Sequence, residues 1–131
     1  MQTLVDTSVV VRYLVGDPPQ QAERAATILD REPDLGITAL VIVETAYVLT
    51  SVYRIERATV VDHLIALVQK ENIQPVDIAA PLLLEALMLC RPSRRTSFTD
   101  ALVWAAARQH RVPRVATFDR RFPDDGLEII S

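Results

Sequence analysis

Short apolar runs alternate along the chain with longer segments in which apolar residues recur every three or four positions. The short runs are typical of buried strands, and the longer periodic segments are typical of helices that bury one face. The predicted strands cover residues 3–5, 35–37, 73–77, 114–117 and 127–130. The predicted helices cover about 8–15, 17–32, 38–52, 56–70, 79–90 and 97–110.

Polar and proline residues mark where several of these helices begin. Asp17 is predicted to cap the second helix, because Pro18 and Gln20 suit its first turn. Thr38 is the expected cap of the third helix, and Ser97 or Thr99 of the last. The alternation of strands with helices predicts an α/β fold with a central parallel sheet sandwiched between helices. Ligands bind such sheets beyond the carboxyl ends of the strands.

Length and composition narrow the class of protein. The chain has 131 residues, half of them hydrophobic, which suits a single domain over 1–131 and excludes a disordered chain. No run of about 18 apolar residues occurs, so a membrane span is not expected. The first residues lack the pattern of a secretory signal. Cys90 is alone, which fits a protein of the reducing cytoplasm.

The charge is divided unevenly along the sequence. The net charge is −3, which by itself argues against a protein held to nucleic acid by bulk charge. Residues 1–90 carry six basic and twelve acidic side chains, whereas residues 91–131 carry eight arginines and five acids. The C-terminal third is thus either an anion-binding surface or an ordinary solvated face with cations at helix ends.

Four acidic residues stand where a site would form. Asp6 follows the first predicted strand, and Asp119 lies two residues beyond the fourth. Glu44 interrupts an apolar helical segment, and Asp100 lies in the first turn of the last helix. Each has an ordinary alternative: a helix cap for Asp6, a solvent-facing position for Glu44, a dipole interaction for Asp100 and a tight turn for Asp119. Their joint placement favours one acidic cluster.

A cluster of carboxylates is expected to bind a hard cation. The acids repel one another unless a cation neutralises them, and oxygen ligands suit Mg²⁺ or Mn²⁺. Such ions can activate a water for attack on a phosphodiester. A zinc site is not expected, because neither His63 nor His110 has a suitably spaced partner and Cys90 is alone. Glycine-rich nucleotide-binding motifs and a serine-nucleophile motif are also absent from the sequence.

The same acids lie in segments that resemble a known family. The chain resembles PIN domains, specifically the small VapC-type toxin ribonucleases of toxin–antitoxin pairs, over essentially its full length. The matching segments occur in family order: Leu4-Val5-Asp6-Thr7-Ser8-Val9, Val43-Glu44-Thr45-Ala46-Tyr47-Val48-Leu49, Ser97-Phe98-Thr99-Asp100-Ala101-Leu102 and Ala116-Thr117-Phe118-Asp119-Arg120-Arg121-Phe122.

The resemblance implies a PIN-like sheet between helices and a metal-dependent endoribonuclease. Asp6 and Asp100 would be the main ligands of Mg²⁺ or Mn²⁺, with Glu44 binding directly or through water and Asp119 completing the cluster. Ser8 and Thr117 would be hydroxyl helpers. The implied partners are an RNA substrate, a cognate antitoxin that inserts a side chain into the site, and a second copy of the chain in a homodimer.

Three other functions remain open from the sequence. A PIN nuclease of RNA processing would have the same site but no antitoxin. A receiver-type signalling domain would need an acidic pair after the first strand and a late lysine, whereas Thr7 and Ser8 follow Asp6 and Lys70, the only lysine, lies in a helix. A non-catalytic RNA-binding protein would not require the acids that are present.

Overall fold

The predicted alternation of strands and helices is present in the computed structural model, which describes residues 2–131. Its strands are β1 Thr3–Leu4, β2 Leu35–Ile37, β3 Ile73–Pro75, β4 Arg114–Ala116 and β5 Glu128–Ile130. Its helices are α1 Thr7–Val15, α2 Pro19–Arg31, α3 Ala39–Tyr47, α4 Arg57–Val68, α5 Ala80–Cys90 and α6 Phe98–Gln109. A π-helical turn, Val48–Val52, extends α3.

The strands pair in parallel, as the α/β prediction requires. Hydrogen bonds join them into a three-stranded sheet in the order β1-β2-β3 and a separate two-stranded sheet of β4 and β5. The expectation that every short apolar run forms a buried strand is wrong. Only β2 is buried throughout, because it is the one strand here with neighbours on both sides, whereas Leu4 in β1 is 61% exposed.

The helices supply most of the hydrophobic core. Leu29 in α2, Ile42 in α3, Leu64 in α4 and Leu87 in α5 are completely buried. The most extensive contacts between helices are those of α5 with α6 and of α1 with α2. In residues 2–131 no helix combines the length and the apolar character needed to cross a membrane.

The helix ends follow the sequence in most places. Thr38 caps α3 by accepting a hydrogen bond from the Val41 amide at 3.2 Å, and Ser97 caps α6. The predicted cap at Asp17 is wrong. Pro18 still has extended backbone angles, so it occupies the capping position without a side-chain hydrogen bond and α2 starts at Pro19.

Arg57 in α4 holds the loop between α5 and α6. Its guanidinium donates to the carbonyl of Cys90, at 2.5 Å, and to the carbonyl of Thr96. It also lies 4.3 Å from the ring centre of Phe98, the first residue of α6. Arg91 ties the same loop to α4 from the surface, through two hydrogen bonds to Asp62 at 2.8 and 3.0 Å. The start of α6 therefore depends on contacts with α4.

We expect Arg57→Ala to lower the free energy of unfolding by about 2–4 kcal/mol, because it leaves two partly buried carbonyls without their charged donor. Arg91→Ala is the matched control and should lower the free energy of unfolding much less, since its ion pair with Asp62 is exposed to solvent. Urea unfolding of the two variants measures both values. Equal losses would contradict the role given to Arg57.

Candidate metal centre

Asp6 lies at the carboxyl end of β1, where it caps α1. Its Oδ2 accepts hydrogen bonds from the Ser8 hydroxyl at 2.8 Å and the Ser8 amide at 3.4 Å. These bonds, with one from the Thr7 amide, lower the pKa of the Asp6 carboxyl, so it is ionised at neutral pH. Asp6 is therefore a helix cap whose ionised carboxylate lies at the carboxyl end of β1.

Asp100 and Asp119 are brought together from distant parts of the chain. Asp100 is in the first turn of α6, with its amide donating to the Ser97 hydroxyl at 3.0 Å. Partial burial raises the pKa of the Asp100 carboxyl, and the negative charge of Asp119 and a hydrogen bond with it raise that pKa further. The two carboxylates therefore lie close enough for each to affect the pKa of the other.

Asp119 stays ionised because its own backbone surroundings favour the charge. Its Oδ1 accepts a hydrogen bond from the Arg121 amide at 2.8 Å, the main cause that lowers the pKa of Asp119. The Arg121 guanidinium lies 3.7 Å from the same oxygen. The Thr117 hydroxyl accepts a hydrogen bond from the Asp119 amide at 3.0 Å, so Thr117 positions this turn.

Glu44 lies on an exposed face of α3, between Leu40 and Tyr47, whose side chains are 76% and 64% exposed. It is a surface carboxylate. Among residues 2–131 no three histidine, cysteine or acidic side chains are arranged as a group that could hold a metal. The structure thus brings Asp100 and Asp119 together, and it does not gather all four predicted acids around one point.

The Asp100–Asp119 pair suits Mg²⁺ by its chemistry. Mg²⁺ is commonly bound by one or two carboxylates and completes its shell with waters and substrate phosphates. A divalent cation would also remove the repulsion that raises the pKa of Asp100. The donor set therefore fits a hard divalent ion, with Asp100 and Asp119 as the residues that would meet it.

Two buried hydroxyls beside the predicted acids were not found by sequence reasoning. Thr7 follows Asp6 and Thr45 follows Glu44; both are buried, and neither hydroxyl has a hydrogen-bond partner among the described residues. Sequence reasoning also missed Arg57, which no motif marks. The only sequence feature that marks Thr7 and Thr45 is their position next to an acidic residue. A threonine in a helix is ordinarily interpreted as a packing residue.

Three of the eight C-terminal arginines have structural roles. Arg91 pairs with Asp62, and Arg121 with Asp119. Arg108 lies over the Trp104 ring at 5.6 Å and donates to the Asp125 carbonyl. The basic character of residues 91–131 is therefore partly used within the fold, and it is not a uniform surface for anions.

In metal-free protein, Asp119→Asn should lower the pKa of Asp100, because it removes the neighbouring negative charge. The pKa should stay above its ordinary value, since partial burial, the larger cause, remains. Carbon NMR titration of the Asp100 carboxyl measures the change. Glu23→Gln on α2 is the control and should leave the titration unchanged; an unchanged titration in Asp119→Asn as well would disprove the pairing.

The chain was also compared with known proteins. A family model described as PIN domain matches residues 3–125. Proteins of this family are generally nucleases that use divalent metal ions and act on nucleic acid. No curated protein sequence matches the chain. Because the matched segment includes nearly all of its residues, the chain belongs to the PIN domain family.

Proposed function

We propose that this protein is a Mg²⁺- or Mn²⁺-dependent endoribonuclease and the toxin of a type II toxin–antitoxin pair. The observation that carries the proposal is that Asp100 and Asp119 lie close enough in this PIN domain for Asp119 to raise the pKa of Asp100. Holding two acids together costs stability unless a cation joins them, and this arrangement is characteristic of sites built for metal-assisted chemistry.

In the proposed site, Asp6 and Asp100 are the main metal ligands. Asp119 completes the cluster, and Glu44 contributes directly or through a water. A bound divalent ion would polarise a water and offset the charge of the phosphodiester. Ser8 and Arg121 keep Asp6 and Asp119 ionised and therefore able to bind a cation at neutral pH.

The toxin assignment is supported by the resemblance of the four motif segments to VapC-type toxins. The proposed partners are a small antitoxin that covers the site and a second copy of the chain. The second candidate is a PIN nuclease of RNA processing, which has the same site and no antitoxin. A receiver-type signalling domain is incompatible with membership of the PIN family.

Asp6→Asn and Asp100→Asn are each expected to reduce Mg²⁺- or Mn²⁺-dependent RNA cleavage by at least about 100-fold, because each removes a metal ligand. Cleavage of labelled RNA with and without a chelator measures this. Glu85→Gln, an exposed acid on α5, is the control and should cleave like the wild type. Wild-type cleavage by both Asp variants would rule out the proposed site.

Asp100→Asn is also expected to fold normally. The pKa of Asp100 is raised in the folded state, so its ionisation destabilises the metal-free protein as the pH rises through that value. An uncharged side chain at this position should therefore leave the melting temperature at pH 7 equal or higher. A large fall would mean that lost cleavage reflects unfolding.

The toxin role can be separated from RNA processing in cells. Expression of the wild type in a bacterial host without a partner protein should arrest growth, and sequencing of RNA ends should reveal a small set of new termini. Asp100→Asn should do neither. Normal growth together with cleavage of RNA in vitro would favour the processing nuclease.

A further inference from the structure

A cavity of about 860 Å³ opens beside the candidate metal centre. It lies between the π-helical end of α3, the start of α4 and the start of α6. Val43 and Thr99 line it, and they immediately precede Glu44 and Asp100. The groove therefore reaches the segments of α3 and α6 that carry Glu44 and Asp100.

The groove carries two arginines that the fold does not use. Arg54 and Arg94 line it, both are exposed, and neither has a hydrogen bond or ion pair within residues 2–131. Arg57 also lines the groove, but its guanidinium is engaged by the loop before α6. Glu56 is the one acid among the lining residues. The free charge of the groove is positive, and it complements an anion.

Arg54 is presented by a strained turn. Its φ of 56° lies in the left-handed region, where the Cβ of an arginine crowds the backbone. The turn is closed by the Tyr53 amide, which donates to the Val48 carbonyl at 3.1 Å, and by the Ile55 amide, which donates to the Leu49 carbonyl at 3.0 Å. The end of the π-helix therefore fixes the backbone position from which the Arg54 side chain extends.

An aromatic ring lies in the same wall. Tyr47 lines the groove, and its side chain is 64% exposed. Thr50 and Ser51 add hydroxyls. Cations combined with an exposed aromatic residue are typical of grooves that bind single-stranded nucleic acid, where arginines meet phosphates and the ring stacks on a base.

We propose that this groove binds the single-stranded RNA on one side of the cleaved phosphodiester. Arg54 and Arg94 contact backbone phosphates, and Tyr47 stacks on a base. This inference rests on the proposed ribonuclease function and assigns it a substrate-binding surface. A protein ligand is less suited to the groove, because two free arginines and a single acid favour a polyanion.

The test compares two doubly substituted proteins, each with Asp100→Asn added so that the RNA stays intact. Arg54→Asn/Arg94→Gln removes the groove charges, and asparagine tolerates the left-handed backbone at position 54. Arg24→Gln/Arg31→Gln removes the same charge from α2. Fluorescence anisotropy measures binding of a labelled, unstructured RNA of about 12 nucleotides at several salt concentrations.

The groove variant should bind RNA about 25-fold more weakly at 0.1 M salt, and its log–log salt slope should fall by about 1.4, since each lost phosphate contact on a single strand contributes about 0.7. The α2 variant should stay within about twofold of its parent. Tyr47→Leu should weaken binding about fivefold or more, whereas Tyr47→Phe, which keeps the ring, should not.

A cleavage assay distinguishes failure of the groove proposal from failure of the ribonuclease proposal. With Asp100 restored, the groove variant should raise KM for RNA with little change in kcat, and its melting temperature should match that of the wild type. If the wild type cleaves RNA and the groove variant matches the α2 variant in affinity, slope and KM, the groove belongs to another ligand, such as a protein. A wild type that cleaves no RNA overturns the ribonuclease proposal and this inference with it.

Discussion

The repulsion between the Asp100 and Asp119 carboxylates is the main physical constraint on the start of α6 and on the turn that follows β4. Burial and the neighbouring charge both raise the pKa of Asp100, while the amide of Arg121 keeps Asp119 ionised. The pair is therefore unfavourable on its own and becomes favourable when a divalent cation is shared between the two carboxylates. Unfavourable electrostatic interactions of this kind are common at active sites.

Most contacts near the Asp100–Asp119 pair hold two chain segments in place: the start of α6 and the turn before Asp119. Ser97 caps α6 and Thr117 closes the turn before Asp119. Arg57 fastens the loop that leads to α6 by donating to carbonyls at both of its ends. These contacts are hydrogen bonds to backbone groups. They fix the orientation of the backbone more than they bury apolar surface. The carboxylates stay close because the backbone at each of them is held independently.

The distribution of arginines explains how an acidic protein can act on nucleic acid. Arg57, Arg91 and Arg108 donate to groups within the fold, which leaves their charge little available to a ligand. Arg54 and Arg94 have no such partners and share one groove. A net charge of −3 therefore says little about the local field that a substrate would meet.

The sequence by itself determined the order of strands and helices, because each element has its own apolar period, and it determined which acids stand at strand ends and helix starts. Leu4 shows its limit: this apolar residue of the edge strand β1 is 61% exposed. Which acids meet was decided only by the tertiary structure, since Asp100 in α6 and Asp119 after β4 belong to different elements. The role of Arg57 was decided there too, because its contacts join residues 33 and 39 positions away, and no local pattern encodes such a distance.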